Sequence, residues 1–205
     1  MTSTNIKKNK LVVCIDNGHG KNTKGKCSPD RSLLEWQWNR QVALLLRDRL
    51  IKLGIDARLI VTEDSDISLS ERCKRVNRIS KQVGAANCIL VSIHVNAAGG
   101  DGKWHDARGW SVFVSNNASS KSRSLAELMY DAATEIGVKT RKPSQKQKFW
   151  KQDLAICRDT VCPAVLVENF FMDNREDCEF LKSEEGKNKC AKIMCGGILE
   201  CFDIR

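Results

Sequence analysis

Apolar and polar residues alternate with two different periods along this chain, and the switches between them mark its elements. Residues 11–16 form a short apolar run ended by the turn chemistry of Asn17-Gly18-His19-Gly20. Leu34, Trp38, Val42, Leu45, Leu46, Leu50 and Leu53 then keep helical spacing, which predicts a helix over about 29–53, stopped by Gly54. Residues 55–61 read as a second strand. Ser68 and Glu71 have capping-box spacing ahead of Leu69, Cys73, Val76, Ile79 and Val83, predicting a second helix. Residues 88–94 are nearly all apolar, as a strand buried on both faces would be.

A glycine-rich loop over 97–108 leads to a strand at 109–115, where Trp110, Val112 and Val114 alternate with Ser111, Phe113 and Ser115. Leu125, Leu128, Met129, Ala132 and Ile136 predict a helix closed by Gly137. Residues 139–152 are polar, basic and without period, so they are expected to form a long loop. The last strands are expected at 154–157 and 164–170, and the last helices at 174–181 and 187–202, the second weakened by Gly196 and Gly197. Strands alternating with helices predict a single layered α/β domain. The expected division is a short basic tail over 1–9 and one domain over 10–205.

Composition narrows the class. At 205 residues the chain is long enough for one well-packed core, and 41% hydrophobic with 29% charged residues is an ordinary globular balance. No apolar run reaches the roughly 18 residues of a membrane-spanning helix. The net charge of +9 favours polyanionic partners, either nucleic acid or wall polymers carrying carboxylates and phosphates. The first ten residues lack the apolar stretch of a secretory signal, which predicts synthesis in the cytoplasm, so that an outside target would be reached only after release by another route; a secreted chain trimmed of its signal is the alternative. Ten cysteines without a C-x-x-C pair are expected to be reduced and structural.

Candidate chemistry sits at strand ends. His19 follows the first strand in a glycine-flanked turn, and His94 closes the third. Loops at such ends converge over a rigid platform, so two histidines 75 positions apart can meet there. Two independently satisfied polar histidines remain the alternative. A hydrolytic zinc site needs three protein ligands and an open position, and Glu35, near the start of the first long helix, is a plausible third. Glu168 interrupts the apolar run Ala164-Val-Leu-Val…Phe170-Phe. A carboxyl in a buried strand must be paired, metal-associated or shifted in pKa, which suits a general base; a structural ion pair with an arginine is the competing reading.

At these residues the chain resembles the zinc-dependent N-acetylmuramoyl-L-alanine amidases of the type-3 amidase family. The matching segments are Val13-Cys-Ile-Asp-Asn-Gly-His-Gly20, Glu35 with Asn39, Ser92-Ile-His-Val-Asn-Ala97, and Arg158-Asp-Thr-Val-Cys-Pro-Ala-Val-Leu-Val-Glu168 continuing through Asn174, Asp177 and Leu181. They run in the family's order from about Lys10 to the C-terminus. The resemblance implies that His19, Glu35 and His94 bind Zn2+, and that Glu168 is the catalytic carboxylate. It also implies a mixed, mostly parallel sheet flanked by helices on both faces, and a peptidoglycan (muramyl peptide) substrate, cut between N-acetylmuramic acid and the L-alanine of the stem peptide. Asn17, Lys21 and Asn169 depart from the pattern and are expected to reshape the substrate pocket.

Two loops could border the cleft: 97–108, with Trp104 and His105, and 139–152, with six basic residues beside Phe149 and Trp150 that could meet stem-peptide carboxylates, although a solvated charged segment is the more frequent explanation for such a loop. A role for His105 as a fourth ligand is disfavoured by its loop position. No membrane span and no specific nucleic-acid partner are expected, and the chain is expected to act as a monomer. The rival readings are a zinc peptidase or deacetylase using the same ligands, and, behind it, a basic nucleic-acid-binding module, for which the usual motifs are missing.

Overall fold

The structure, a computed structural model, describes residues 11–204; the tail expected over 1–9 lies outside them. Six strands form one sheet: β1 (Val12–Asn17), β2 (Asp56–Leu59), β3 (Cys88–Asn96), β4 (Ser111–Val114), β5 (Trp150–Lys151) and β6 (Ala164–Phe171). Their order is β2-β1-β3-β6-β4-β5, parallel throughout except where β4 runs antiparallel to β6. Six helices accompany them: α1 (Glu35–Lys52), α2 (Leu69–Val83), α3 (Ser120–Glu135), α4 (Ala155–Arg158), α5 (Arg175–Lys182) and α6 (Glu184–Cys201). The mixed α/β architecture is the one expected.

Side-chain alternation on the strands explains the layering. Val13, Ile15, Ile89, Val91, Ile93, Val165 and Val167 face one cluster, built with α1, α3, α5 and α6. Their neighbours Cys14, Cys88, Leu90, Ala164 and Leu166 face a smaller cluster completed by α2 and α4. Burial on both faces is why these strands read as continuous apolar runs.

Three expectations need correction. The first helix begins at Glu35, not near Pro29: Cys27 bridges Leu34, Ser28 Oγ accepts from Leu33 N, and Arg31 takes φ 60°, so residues 28–34 form a tight turn. Residues 154–157 are not a strand. Leu154 starts the one-turn helix α4, whose Ile156 and Cys157 close the smaller core. The loop over 139–152 contains the edge strand β5, paired with β4 through Phe113 and Trp150. The last helix is present as expected, and Gly196 and Gly197 lie inside α6. A Cβ on Gly197 would sit 2.4 Å from Met129 Cγ and 2.7 Å from Met129 Cα, so glycine there permits close packing of α6 on α3.

The cap at Ser68 is half of the expected box. Its hydroxyl accepts from Glu71 N, while the Glu71 carboxylate turns to Arg75 instead.

Candidate active site

Because β1, β3 and β6 are neighbours, the residues at their C-terminal ends share one edge of the sheet. His19 leaves β1 in a left-handed conformation, φ 63°, between two glycines that are sterically required. A Cβ on Gly18 would fall 2.2 Å from the His94 ring, and one on Gly20 would fall 2.0 Å from the Asp66 backbone. His94 lies within β3, which runs two residues further than expected and is followed by an irregularity in its pairing with β6 between His94 and Asn96. Glu35 is the first residue of α1, where the helix N-terminus favours a carboxylate.

These three side chains converge. His94 Nδ1 lies 3.2 Å and His19 Nε2 3.4 Å from the same oxygen, Glu35 Oε1, which also accepts from Val95 N at 3.1 Å. One ligand atom from each residue falls within 4.8 Å of the others. Glu35 is only 1% exposed, and among the described residues no lysine or arginine pairs with it. Its second oxygen is enclosed and without a hydrogen-bond partner. A buried carboxylate meeting two imidazoles but no permanent cation is a donor set suited to a divalent metal such as zinc. Burial pushes the Glu35 carboxyl up, but the hydrogen bond from His94 and the two imidazoles outweigh it and hold the group below its ordinary range. Burial brings His19 down to about 4, so it is neutral at pH 7, the form that can ligate a metal.

Glu168 stands beside this group, directly across from His94 in the β3–β6 register. Its side chain remains partly accessible, while Oε2 is enclosed and without a partner. The arginine pair considered as an alternative is absent among the described residues. Burial raises its pKa to about 7, with Glu35 pushing the same way and His94 and Lys26 opposing.

A cleft of about 500 Å³ opens onto His19 and His94 and is walled by Asp66, Ser68 and Leu69. Both loops considered for the substrate grip are partly tied down by their own contacts. His105 is outside the metal-ligand group: its Nε2 lies 2.9 Å from Asp101 Oδ1 and its backbone is tied to Asp173 and Asn174. In the basic loop, Lys148 pairs with Asp131, Arg141 lies over Phe171 and Trp150, and Lys142 lies over Tyr130. Nor does Asn169 reshape a pocket. It is fully buried, donates to His94 O at 3.0 Å and accepts from Trp110 Nε1 at 3.1 Å. Asn17 is likewise buried.

Sequence reading left Lys26, Asn39 and Arg72 without a role. Lys26 is exposed, yet its charge acts on both His19 and Glu168. Asn39, one turn after Glu35, donates to Gly18 O at 3.1 Å and so fixes the His19 turn against α1. The one sequence signal for Asn39 was its place in the family-like segment.

A family model described as N-acetylmuramoyl-L-alanine amidase matches residues 13–200. The chain is 27% identical to N-acetylmuramoyl-L-alanine amidase CwlM of Bacillus licheniformis over 196 residues, 95% of this chain and 70% of that protein. It is 25% identical to the endolysin of Bacillus phage SPP1, again over 95% of this chain and 67% of that protein. Among solved structures, an N-acetylmuramoyl-L-alanine amidase from Clostridium difficile 630 superposes with a TM-score of 0.83 at 28% identity, covering 95% of this chain and 98% of that one. With the match spanning nearly the whole chain and the fold alike throughout, this protein belongs to the N-acetylmuramoyl-L-alanine amidase family.

Proposed function

We propose that the chain hydrolyses the amide bond between the lactyl group of N-acetylmuramic acid and the L-alanine of the peptidoglycan stem peptide, with zinc held by His19, Glu35 and His94 and Glu168 as the general base. The observation that carries this reading is the convergence of both imidazoles on one buried oxygen of Glu35, next to a carboxyl poised at about 7. Zinc in a three-ligand site of this kind supplies a Lewis acid that polarises a carbonyl and acidifies water towards neutral pH.

The chain's own residues do the rest. Glu35 and neutral His19 present donors without a proton to displace. Glu168, part ionised at neutral pH, accepts a proton from the attacking water and returns it to the departing L-alanine nitrogen; a carboxyl near 7 suits both transfers. Lys26, exposed and acting electrostatically on both sides of the site, is placed to attract a carboxylate of the stem peptide. No helix among the described residues is long and apolar enough to cross a membrane, and the net charge of +9 favours contact with a polyanionic wall.

The test pairs metal removal with product analysis. Chelator-stripped protein is expected to leave purified cell walls turbid, and stoichiometric zinc to restore clearing. Mass spectrometry of the digest should find intact stem peptides with a free L-alanine N-terminus. Clearing at an undiminished rate by stripped protein would refute the metal site; cleavage within the stem peptide would point to a peptidase, and loss of N-acetyl groups to a deacetylase.

A further inference from the structure

We propose that Arg72 and Arg40 are positioning residues that hold His19 in its ligating conformation by gripping its backbone carbonyl. This rests on the zinc site of the proposed function. His19 adopts φ 63°, a conformation unfavourable for an L residue bearing a side chain, so its neighbours must hold it there. Its carbonyl accepts from two guanidinium groups, Arg72 Nη2 and Arg40 Nη1, each at 3.2 Å.

Arg72 is 2% exposed, and all three of its guanidinium nitrogens are engaged. Nη1 donates to Asp16 Oδ1 at 2.6 Å and Asn17 O at 2.9 Å, Nη2 to Asp66 Oδ1 at 2.9 Å as well as to His19, and Nε to Ile67 O at 2.7 Å. One side chain of α2 therefore grips Asp16, Asn17 and His19, the segment that delivers the imidazole. The same network reaches the second histidine's strand. Asp16 Oδ2 accepts from Ser92 Oγ at 2.6 Å, two residues before His94. Arg40 closes the opposite side from α1, donating to Glu63 O and Trp36 O besides His19 O.

Merely neutralising buried Asp16 would need a charge but not this fork. A lysine offers one point of positive charge and cannot bridge Asp16, Asn17, His19 and Ile67 together. The two roles therefore separate in Arg72→Lys, which keeps a cation near Asp16 and loses the hold on His19.

The readout is the zinc dissociation constant of folded protein, measured by competition with a chromophoric chelator, alongside thermal melting of the metal-free form. Arg72→Lys is expected to weaken zinc binding about 10- to 100-fold, the usual effect of losing a partner behind a metal ligand, with KM nearly unchanged once zinc is saturating. Arg40→Met is expected to weaken it in the same direction. Because Arg40 is half-buried and pairs with carbonyls, its loss strands no buried acid, so it carries the test if Arg72→Lys does not fold. Variants that fold and bind zinc within twofold of the parent overturn the assignment, even if their melting temperatures fall. Failure of the parent protein to bind zinc would instead refute the metal site itself.

Discussion

Glu168 is the residue at which environment and chemistry are most closely linked. Its folded-state pKa of about 7 lies above the ordinary 4.5, so the fold favours the protonated carboxyl. Its contribution to stability is therefore fully present below about 4.5 and is lost as pH rises through 7. In metal-free protein, Glu168→Gln should melt higher than the parent at pH 8, with the difference shrinking towards pH 5; calorimetry across that range checks the sign. The catalytic expectation runs the other way. The base must be ionised, so kcat/KM should rise with pH as Glu168 ionises, with its midpoint below about 7 because a bound divalent cation favours the carboxylate, and Glu168→Gln should lose on the order of 10²–10⁴ in kcat while retaining zinc. A variant that stays active, or that loses its zinc, would remove Glu168 from the role of base.

At the scale of elements, periodicity was informative wherever one cluster claimed one helix face. The positions of α2 and α3 and the paired apolar runs of β1, β3 and β6 are of this kind. It misled where other forces overrode it. Leu154 to Cys157 is apolar enough for a strand, but it forms one helical turn packed on α2, with Ile156 and Cys157 buried in the smaller core. In α6 two glycines oppose helix propensity, and the packing of α3 explains one of them. Gly197→Ala improves propensity by about 1 kcal/mol yet forces a methyl against the Met129 backbone, and overpacking of that kind costs about 1–3 kcal/mol. The variant should melt below the parent without change in zinc content; a higher melting temperature would show that α3 and α6 can part at little cost.

At the scale of the molecule, the two cores account for the unusual cysteine content. All ten are free thiols, nine of them buried, with Cys14 and Cys88 Sγ atoms 3.7 Å apart in the smaller core and Cys178, Cys190, Cys195 and Cys201 in the larger. Burial pushes the Cys157 and Cys190 thiols up, as expected of small hydrophobes rather than reactive groups. An aromatic disulfide reagent should therefore titrate Cys27 readily in native protein and all ten thiols only after denaturation. A denatured, unreduced count below ten would mean that disulfides form.

A layered α/β class, two strand-end histidines and an anomalous carboxyl at Glu168 follow from the chain alone, because hydrophobic periodicity and turn chemistry are local. The family resemblance added Glu35, whose surroundings in sequence give no physical reason to single it out. Only the tertiary structure decides the rest. Adjacency of β1, β3 and β6 is a matter of strand order, and it brings His19, Glu35, His94 and Glu168 together across nearly 150 residues of sequence. The grip of Arg72 and Arg40 on the His19 carbonyl is likewise invisible to periodicity, because it depends on where three separate elements meet around one turn.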